Sequence, residues 1–367
     1  MTISKTRSFF LLVFLLLILL ACQIPSLAWL PFIAPTASQT STATLTPTLT
    51  AMVTATQTAT KTLTPTLTAT LTATQTATET LTPTETPTQT ATPVPHASRV
   101  LILSIDGLRP DAISLAPMPN LLSLMQNSAY SLTAQTIFPS VTLPAHASML
   151  TGLCPLKHDA DWNDYLPELG YAFGTDLFDI AHAAGMQTVM YVGKEKLRQV
   201  TEPASTDIFV YINDRDLAVT ERLIADFPQD FGVLFIHFAT TDDMGHEYGW
   251  LSSEQLSVIF RADEALGQIL AELDARNLRG ETLIIITSDH GGHKTTHGSS
   301  RPEDMTIPWI AAGTGIQPKQ LTTQIHTMDT AATAAFALGF PIPPEWDGVP
   351  VMEAFGLPAE KQSLFCP

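Results

Sequence analysis

Short hydrophobic runs alternate with longer amphipathic stretches along the chain from about residue 97 to its end. Apolar runs bounded by turn residues predict strands, and apolar residues at every third or fourth position predict helices. The predicted strands are 99–105, 187–192, 232–238 and 282–287, with a weaker run at 131–138. The predicted helices are 119–127, 142–150, 176–184, 216–227, 253–276 and 328–338. This alternation predicts a layered α/β domain, in which helices flank both faces of a central, mostly parallel β-sheet.

The first 22 residues have the features of an export signal. Lys5 and Arg7 precede an apolar run at residues 8–20, and Ala21 and Cys22 follow it. A basic start, a short apolar segment and a small residue before the cleavage point are typical of signal peptides. The Leu-x-Ala-Cys ending resembles a bacterial lipoprotein cleavage box, which implies a lipid on Cys22 and a cell-surface protein anchored to the membrane. The alternative is an uncleaved anchor, because the apolar character continues to about residue 34.

A disordered linker is predicted at residues 23–96. From Thr36 onward, threonine alternates with Ala, Leu, Pro and Gln, while aromatic and charged residues are rare. Such alternation can indicate a strand, but the repeated Thr-Pro steps remove backbone donors, and the segment has no bulky apolar face to bury. The linker leads into a predicted domain at residues 97–367, which is long enough to form one large core.

The net charge of the chain is −17. Nucleic acid is not expected as a partner, because phosphate backbones require a basic surface. A small phosphate ester remains compatible with an acidic domain if bound metals supply the local positive charge. Of the three cysteines, Cys22 belongs to the export signal. Cys154 and Cys366 are left either to form a disulfide or to remain free thiols.

Metal-binding side chains follow three of the predicted strands. They are Asp106 after 99–105, Asp242 and His246 after 232–238, and Asp289 and His290 after 282–287. Each group alone would be an ordinary polar turn at least as often as a functional site. Together they matter, because reactive groups collect at the carboxyl ends of parallel strands. Carboxylates and imidazoles from several strand ends can bind a pair of divalent metals, which predicts a hydrolase. Gly245 lies between Asp242 and His246, and we interpret that segment as a loop.

Thr142 is the candidate nucleophile. It lies before Leu143 and Pro144 at the start of a predicted helix, where a threonine can also serve as a helix cap. The positive end of a helix stabilises both an alkoxide and the phosphate that the alkoxide attacks. A coordinated metal would further favour the deprotonated hydroxyl.

Between about residues 99 and 357, these segments resemble the alkaline phosphatase superfamily, and within it the type I phosphodiesterase/nucleotide pyrophosphatase branch. The resemblance implies an alkaline phosphatase-like fold, two zinc ions and hydrolysis of a phosphate ester through a covalent phospho-threonine at Thr142. One ion would bind Asp106, Thr142, Asp289 and His290, and the other Asp242, His246 and His297. His293 is the alternative to His297. Ala145 stands where the branch has an Asn, which leaves the substrate class open.

Other functions are compatible with parts of this pattern. A phosphomonoesterase or a transferase of phosphoryl head groups would use the same residues. A sulfatase is disfavoured, because it needs a Cys or Ser in a Cys/Ser-x-Pro-x-Arg segment and the chain has Cys154-Pro155-Leu156-Lys157 instead. A catalytically inactive binding domain at the end of a stalk is the remaining alternative, although all seven expected positions of the metal site are occupied by suitable residues.

Overall fold

A computed structural model describes residues 96–358, 362–363 and 365–366 of the chain. The predicted export signal with Cys22 and the predicted linker before His96 lie outside the described residues. Within the described part of the chain, no helix combines the length and the apolar character that crossing a membrane requires.

Eight strands form one sheet in the order β4-β3-β5-β1-β6-β7-β2-β8. Their bounds are β1 Arg99–Ile105, β2 Ser128–Gln135, β3 Gln187–Val192, β4 Ile208–Tyr211, β5 Phe231–Phe238, β6 Thr282–Thr287, β7 Thr306–Gly313 and β8 Lys319–Gln320. Only β7 runs against the others, because it pairs antiparallel with both β6 and β2. The predicted mostly parallel sheet is therefore confirmed.

The central strands are hydrophobic on both sides because both sides are covered. In β1, Val100 and Ile102 belong to one core layer, and Leu101 and Leu103 belong to the other. Near-continuous apolar runs of this kind are typical of parallel strands buried between two helical layers.

Ten α-helices surround the sheet in the described residues. They are α1 Ala112–Leu115, α2 Pro119–Met125, α3 Thr142–Thr151, α4 Pro155–His158, α5 Leu177–Ala183, α6 Asp216–Ala225, α7 Thr240–Tyr248, α8 Ser253–Ala275, α9 Pro302–Met305 and α10 Asp329–Ala337. Apolar side chains of α3, α5 and α10 join the core layer of Val100, whereas those of α1, α2, α6 and α8 join the layer of Leu101. Helices on both faces, as predicted, leave the strand ends free to build a site.

The interpretation of the segment around Asp242 and His246 as a loop was wrong, because this segment forms α7. Gly245 lowers the intrinsic helix propensity of the segment, and that was the reason for predicting a loop. In the structure, a Cβ at Gly245 would come within 2.9 Å of the Trp250 ring. The glycine is therefore explained by the close approach of a tryptophan, and the helix tolerates it.

Cys154 and Cys366 form a disulfide, with their Cα atoms 5.5 Å apart. This answers the question that the sequence left open between a disulfide and two free thiols. Cys154 lies three residues after Thr151, the last residue of α3, so the bond attaches the C-terminal segment close to that helix. Ser363 in the same segment donates a hydrogen bond to the buried carboxylate of Asp329.

Candidate active site

The carboxyl ends of four neighbouring parallel strands build the candidate site. These strands are β3, β5, β1 and β6, which lie side by side in the sheet. Asp106 follows β1 directly, Asp289 lies two residues after β6, and α7, which carries Asp242, begins two residues after β5. All three aspartates therefore lie at the same edge of the sheet, as expected for residues that follow parallel strands.

One group of ligand atoms surrounds the Nε2 atom of His290. That nitrogen lies 3.4 Å from Asp106 Oδ1, 3.3 Å from Asp289 Oδ2 and 3.5 Å from Thr142 Oγ1. Four tetrahedral ligands at about 2.0 Å from one ion would be separated by about 3.3 Å. The three separations from His290 Nε2 match those expected between ligands of one cation, and these four residues are the ones assigned to the first metal.

A second group contains Asp242, His246 and His297. The Oδ1 atom of Asp242 lies 3.5 Å from His246 Nε2 and 3.6 Å from His297 Nε2. All three residues offer ligand atoms within 4.8 Å of one another, and so do Asp106, Asp242 and His290. The two groups are consequently adjacent, and the structure brings all seven predicted site residues together.

Unpartnered oxygen atoms show how well the site fits cations. Among the described residues, Asp106 Oδ1, Asp242 Oδ1 and Asp289 Oδ2 are buried and have no hydrogen-bond partner. Leaving a buried carboxylate oxygen unpaired is costly unless something binds it. These three atoms are the ones that face the imidazole Nε2 atoms, so the donor sets suit metal ions.

The remaining ring nitrogens fix the orientation of the three imidazoles. Each Nδ1–H donates to a backbone carbonyl: that of Gly291 for His290 (2.8 Å), Thr295 for His246 (3.0 Å) and Ser140 for His297 (2.8 Å). A protonated Nδ1 leaves the lone pair of Nε2 free for a metal. The three histidines are therefore held in the tautomer that metal binding requires.

Burial and neighbouring charges shift the pKa values of the buried site residues in different directions. Burial, together with His297, lowers the pKa of His290 to about 4, so its imidazole is neutral at neutral pH. Burial opposes ionisation of Asp106, yet Lys194 and neighbouring imidazoles hold its pKa well below the usual range. Burial and the negative charge of Asp106 raise the pKa of Asp289 well above its usual range. A divalent cation at this position would favour the ionised form of both carboxylates.

The ring of Trp250 packs against two histidines of the second group of ligand atoms. A Cβ atom would lie within 3.2 Å of its ring at three glycines from different segments, namely Gly107, Gly245 and Gly292. The indole N–H donates to the carbonyl oxygen of Gly107 at 2.9 Å. The ring centroid of Trp250 lies 5.3 Å from that of His246 and 5.9 Å from that of His297. Its packing thus connects the chain after β1 and after β6 with two predicted metal ligands.

Thr142 is the first residue of α3; Val141 occupies the N-cap position, and its side chain makes no capping hydrogen bond. The alternative that the Thr142 hydroxyl serves only as a helix cap is therefore wrong. Its carbonyl oxygen accepts a hydrogen bond from His146 Nδ1 at 2.7 Å. Ser104, in β1, lies 2.8 Å from the other nitrogen of this buried ring. His146 in this way connects the start of α3 to the sheet.

Three further polar residues contact the site and were not identified from the sequence. Asn163 Oδ1 accepts hydrogen bonds from the backbone N–H of Leu143 at 2.9 Å and from Lys196 Nζ at 3.1 Å. Lys194 Nζ donates to Asp106 and Asp242. Lys194 follows β3 after one glycine, so the rule that selected the aspartates could have found it. Asn163 lies in an irregular segment and carries no such signal.

His293, the alternative to His297, lies elsewhere in the same segment. Its Nδ1 atom donates to the buried carboxylate of Asp304 at 2.7 Å. His297 is instead stacked on His290, with ring centroids 3.7 Å apart. The geometry places His297 with the second group of ligand atoms.

Comparisons with known proteins identify the family. A sequence profile of the family described as type I phosphodiesterase / nucleotide pyrophosphatase matches residues 100–175 and 186–306. The catalytic subunit of human GPI ethanolamine phosphate transferase 2 is 28% identical over 295 residues, which cover 74% of this chain and 30% of that protein. Human ectonucleotide pyrophosphatase/phosphodiesterase family member 5 is 26% identical over 218 residues, covering 54% of this chain and 45% of that protein. The chain thus spans less than half the length of either relative.

Solved structures share the fold at low sequence identity. Murine ectonucleotide pyrophosphatase / phosphodiesterase 5, as an inactive threonine-to-alanine variant in complex with AMP, is similar with a TM-score of 0.56 and 17% identity, over 67% of this chain and 96% of that one. BT1596, a 2-O GAG sulfatase, is similar with a TM-score of 0.62 and 14% identity, over 72% of this chain and 76% of that one. These likenesses establish a common architecture.

Proposed function

The chain belongs to the type I phosphodiesterase / nucleotide pyrophosphatase family, and from this membership we propose that it is a two-metal phosphoric ester hydrolase. Phosphodiester or pyrophosphate bonds are the preferred substrates. The nucleophile is the Thr142 hydroxyl, and zinc is the metal favoured by mixed carboxylate and imidazole ligands. The observation that best supports this proposal is the pair of adjacent ligand groups. One of them includes the Thr142 oxygen, which lies 3.5 Å from His290 Nε2.

In the proposed reaction, the Thr142 oxygen loses its proton and forms a bond to phosphorus, while the bond from phosphorus to the leaving oxygen breaks. The leaving oxygen takes up a proton and departs as an alcohol or phosphate. Water then attacks the phospho-threonine, releases the phosphate product and restores the hydroxyl. Bound metals would supply positive charge to the attacking and leaving oxygens. The start of α3 offers a further positive end to the phosphoryl group, with Asn163 beside it.

The function can be tested with synthetic esters. Purified protein supplied with zinc is expected to hydrolyse bis-p-nitrophenyl phosphate about tenfold or more faster than p-nitrophenyl phosphate, and a chelator should abolish both reactions. Faster cleavage of the monoester would instead identify a phosphomonoesterase. If neither ester is cleaved by a protein that holds its metals, the inactive binding domain becomes the better account.

A second candidate is transfer of a phosphoryl head group to an acceptor alcohol. It is favoured by the share of this chain that the human ethanolamine phosphate transferase matches, 74% against 54% for the human phosphodiesterase family member. Both reactions begin with the same attack by Thr142 and differ in whether water or an alcohol takes the phosphoryl group. Adding an acceptor alcohol to the assay with the diester distinguishes them, since a transferase would form the mixed alkyl p-nitrophenyl diester in preference to p-nitrophenyl phosphate.

Attachment to the outer face of a membrane through a lipid on Cys22 completes the proposal. It is supported by the basic start, the apolar run at 8–20 and the Leu-x-Ala-Cys ending. In cells fed labelled palmitate, the wild-type chain is expected to take up label, Cys22→Ser to take up none, and the control Cys154→Ser to remain labelled. An unlabelled wild-type chain in the membrane fraction would favour the uncleaved anchor instead.

A further inference from the structure

Lys194 joins the two groups of ligand atoms. Its ammonium donates to Asp106 Oδ2 at 2.7 Å and to Asp242 Oδ2 at 2.6 Å. Asp106 belongs to the group around His290, whereas Asp242 belongs to the group with His246 and His297. The Lys194 side chain is only 16% exposed, and it therefore makes these contacts away from bulk water.

The ammonium binds one oxygen of each carboxylate and leaves the other free. Among the described residues, the Oδ1 atoms of Asp106 and Asp242 are buried and unpartnered, and they face the imidazole nitrogens. The Oδ2 atom of Asp106 also accepts from His237 Nε2 at 3.0 Å. A carboxylate held in this way can give only one oxygen to a cation, so each aspartate is restricted to monodentate binding.

The two contacts also set the distance between the two groups. Asp106 is fixed by β1 and Asp242 by α7, and a single ammonium in contact with both fixes the relative orientation of their carboxylates. Its positive charge reduces the mutual repulsion of the buried carboxylates, which in a medium of low dielectric constant is large. Lys196, two residues further on, donates to Asn163 and forms no hydrogen bond or ion pair with either of these aspartates.

We infer that Lys194 is a positioning residue that couples the two metal sites, by holding Asp106 and Asp242 in monodentate orientation at a fixed separation. The inference rests on the proposed two-metal function. Hydrogen-bonded groups behind metal ligands typically change metal affinity or activity by about 10- to 100-fold when they are removed. Here the same group lies behind one ligand of each site, so its loss should affect both ions.

The test uses the full chain loaded with Co²⁺, whose visible absorption is strong at four-coordinate sites and weak at higher coordination numbers. Calorimetry gives the number and affinity of the ions, and the spectrum gives their coordination. The wild-type protein is expected to bind two ions. Lys194→Met should bind both ions more weakly, by about tenfold or more. It should also absorb less, because the freed carboxylates can bind in a bidentate manner. Lys196→Met removes the same charge nearby and should keep the wild-type spectrum.

Lys194→Arg serves as the conservative variant. A guanidinium can contact two carboxylates but has a different length and shape. Its affinity for the two ions should lie closer to that of the wild-type protein than the affinity of Lys194→Met does, and its spectrum should differ from wild type. If Lys194→Met does not fold, the changed spectrum of Lys194→Arg provides the test. Wild-type affinity and spectrum in both variants would overturn the inference. Tighter metal binding by Lys194→Met would also overturn it, because it would show that the ammonium competes with the metal ions for the carboxylates. A wild-type protein that binds no metal would instead overturn the proposed function.

Discussion

Replacing Thr142 with Ala is expected to lower the rate of phosphodiester hydrolysis by about 10³-fold or more, because it removes the protein atom proposed to form the first bond with phosphorus. The hydroxyl lies at the start of α3, 3.5 Å from His290 Nε2. The other ligand atoms around that nitrogen come from Asp106 and Asp289 and are untouched by the change. Metal content and thermal stability should therefore stay close to those of the wild-type protein, while turnover of bis-p-nitrophenyl phosphate is lost.

Thr142→Ser is the matched control, because it keeps the hydroxyl and removes only a methyl group. It should retain much of the activity, and acid quenching during turnover of a ³²P-labelled diester should trap label on both the wild-type and the serine protein. No label should be found on Thr142→Ala. Full activity of the alanine variant would show that water attacks phosphorus directly and that the nucleophile has been misassigned.

Much of the site could be predicted because reactive groups collect at the carboxyl ends of parallel strands. Asp106, Asp242 and Asp289 each follow a strand of almost purely apolar residues, and such strands must lie inside a parallel sheet. Their shared edge follows from the direction of the strands, so the convergence of the three carboxylates requires no knowledge of the loops. The same rule applied to β3 would have led to Lys194, because only Gly193 separates it from the strand.

Features that depend on long-range packing were missed or misplaced. Strand β7 contains Pro308, which normally argues against a strand between two neighbours. In the structure, the register between β2 and β7 shifts between Ser131 and Ala134, opposite this proline. The irregularity accommodates the missing backbone donor, whereas β2 begins three residues before the predicted run because Ser128 already pairs with Ala312. Nothing local to either segment reveals this pairing.

Replacing His297 with Gln is expected to reduce the bound metal from two ions per domain to one and to slow diester hydrolysis by about 10²-fold or more. His297 Nε2 lies 3.6 Å from Asp242 Oδ1, and the ring is stacked on His290. Without this ligand, the second group keeps only Asp242 and His246, which are too few to hold zinc tightly. Elemental analysis of the purified, zinc-supplemented protein provides the count.

His293→Gln is the control from the same segment, because its ring donates to Asp304 instead of facing the Asp242 carboxylate. It should keep two ions and the wild-type rate. If His293→Gln lost the ion and His297→Gln kept it, the two histidines would have to exchange roles. Two ions in both variants would exclude both residues as ligands, and the second cation would then need a donor other than either imidazole. The comparison therefore tests whether the orientation of His297, fixed through its Nδ1–H by the carbonyl of Ser140, serves metal binding.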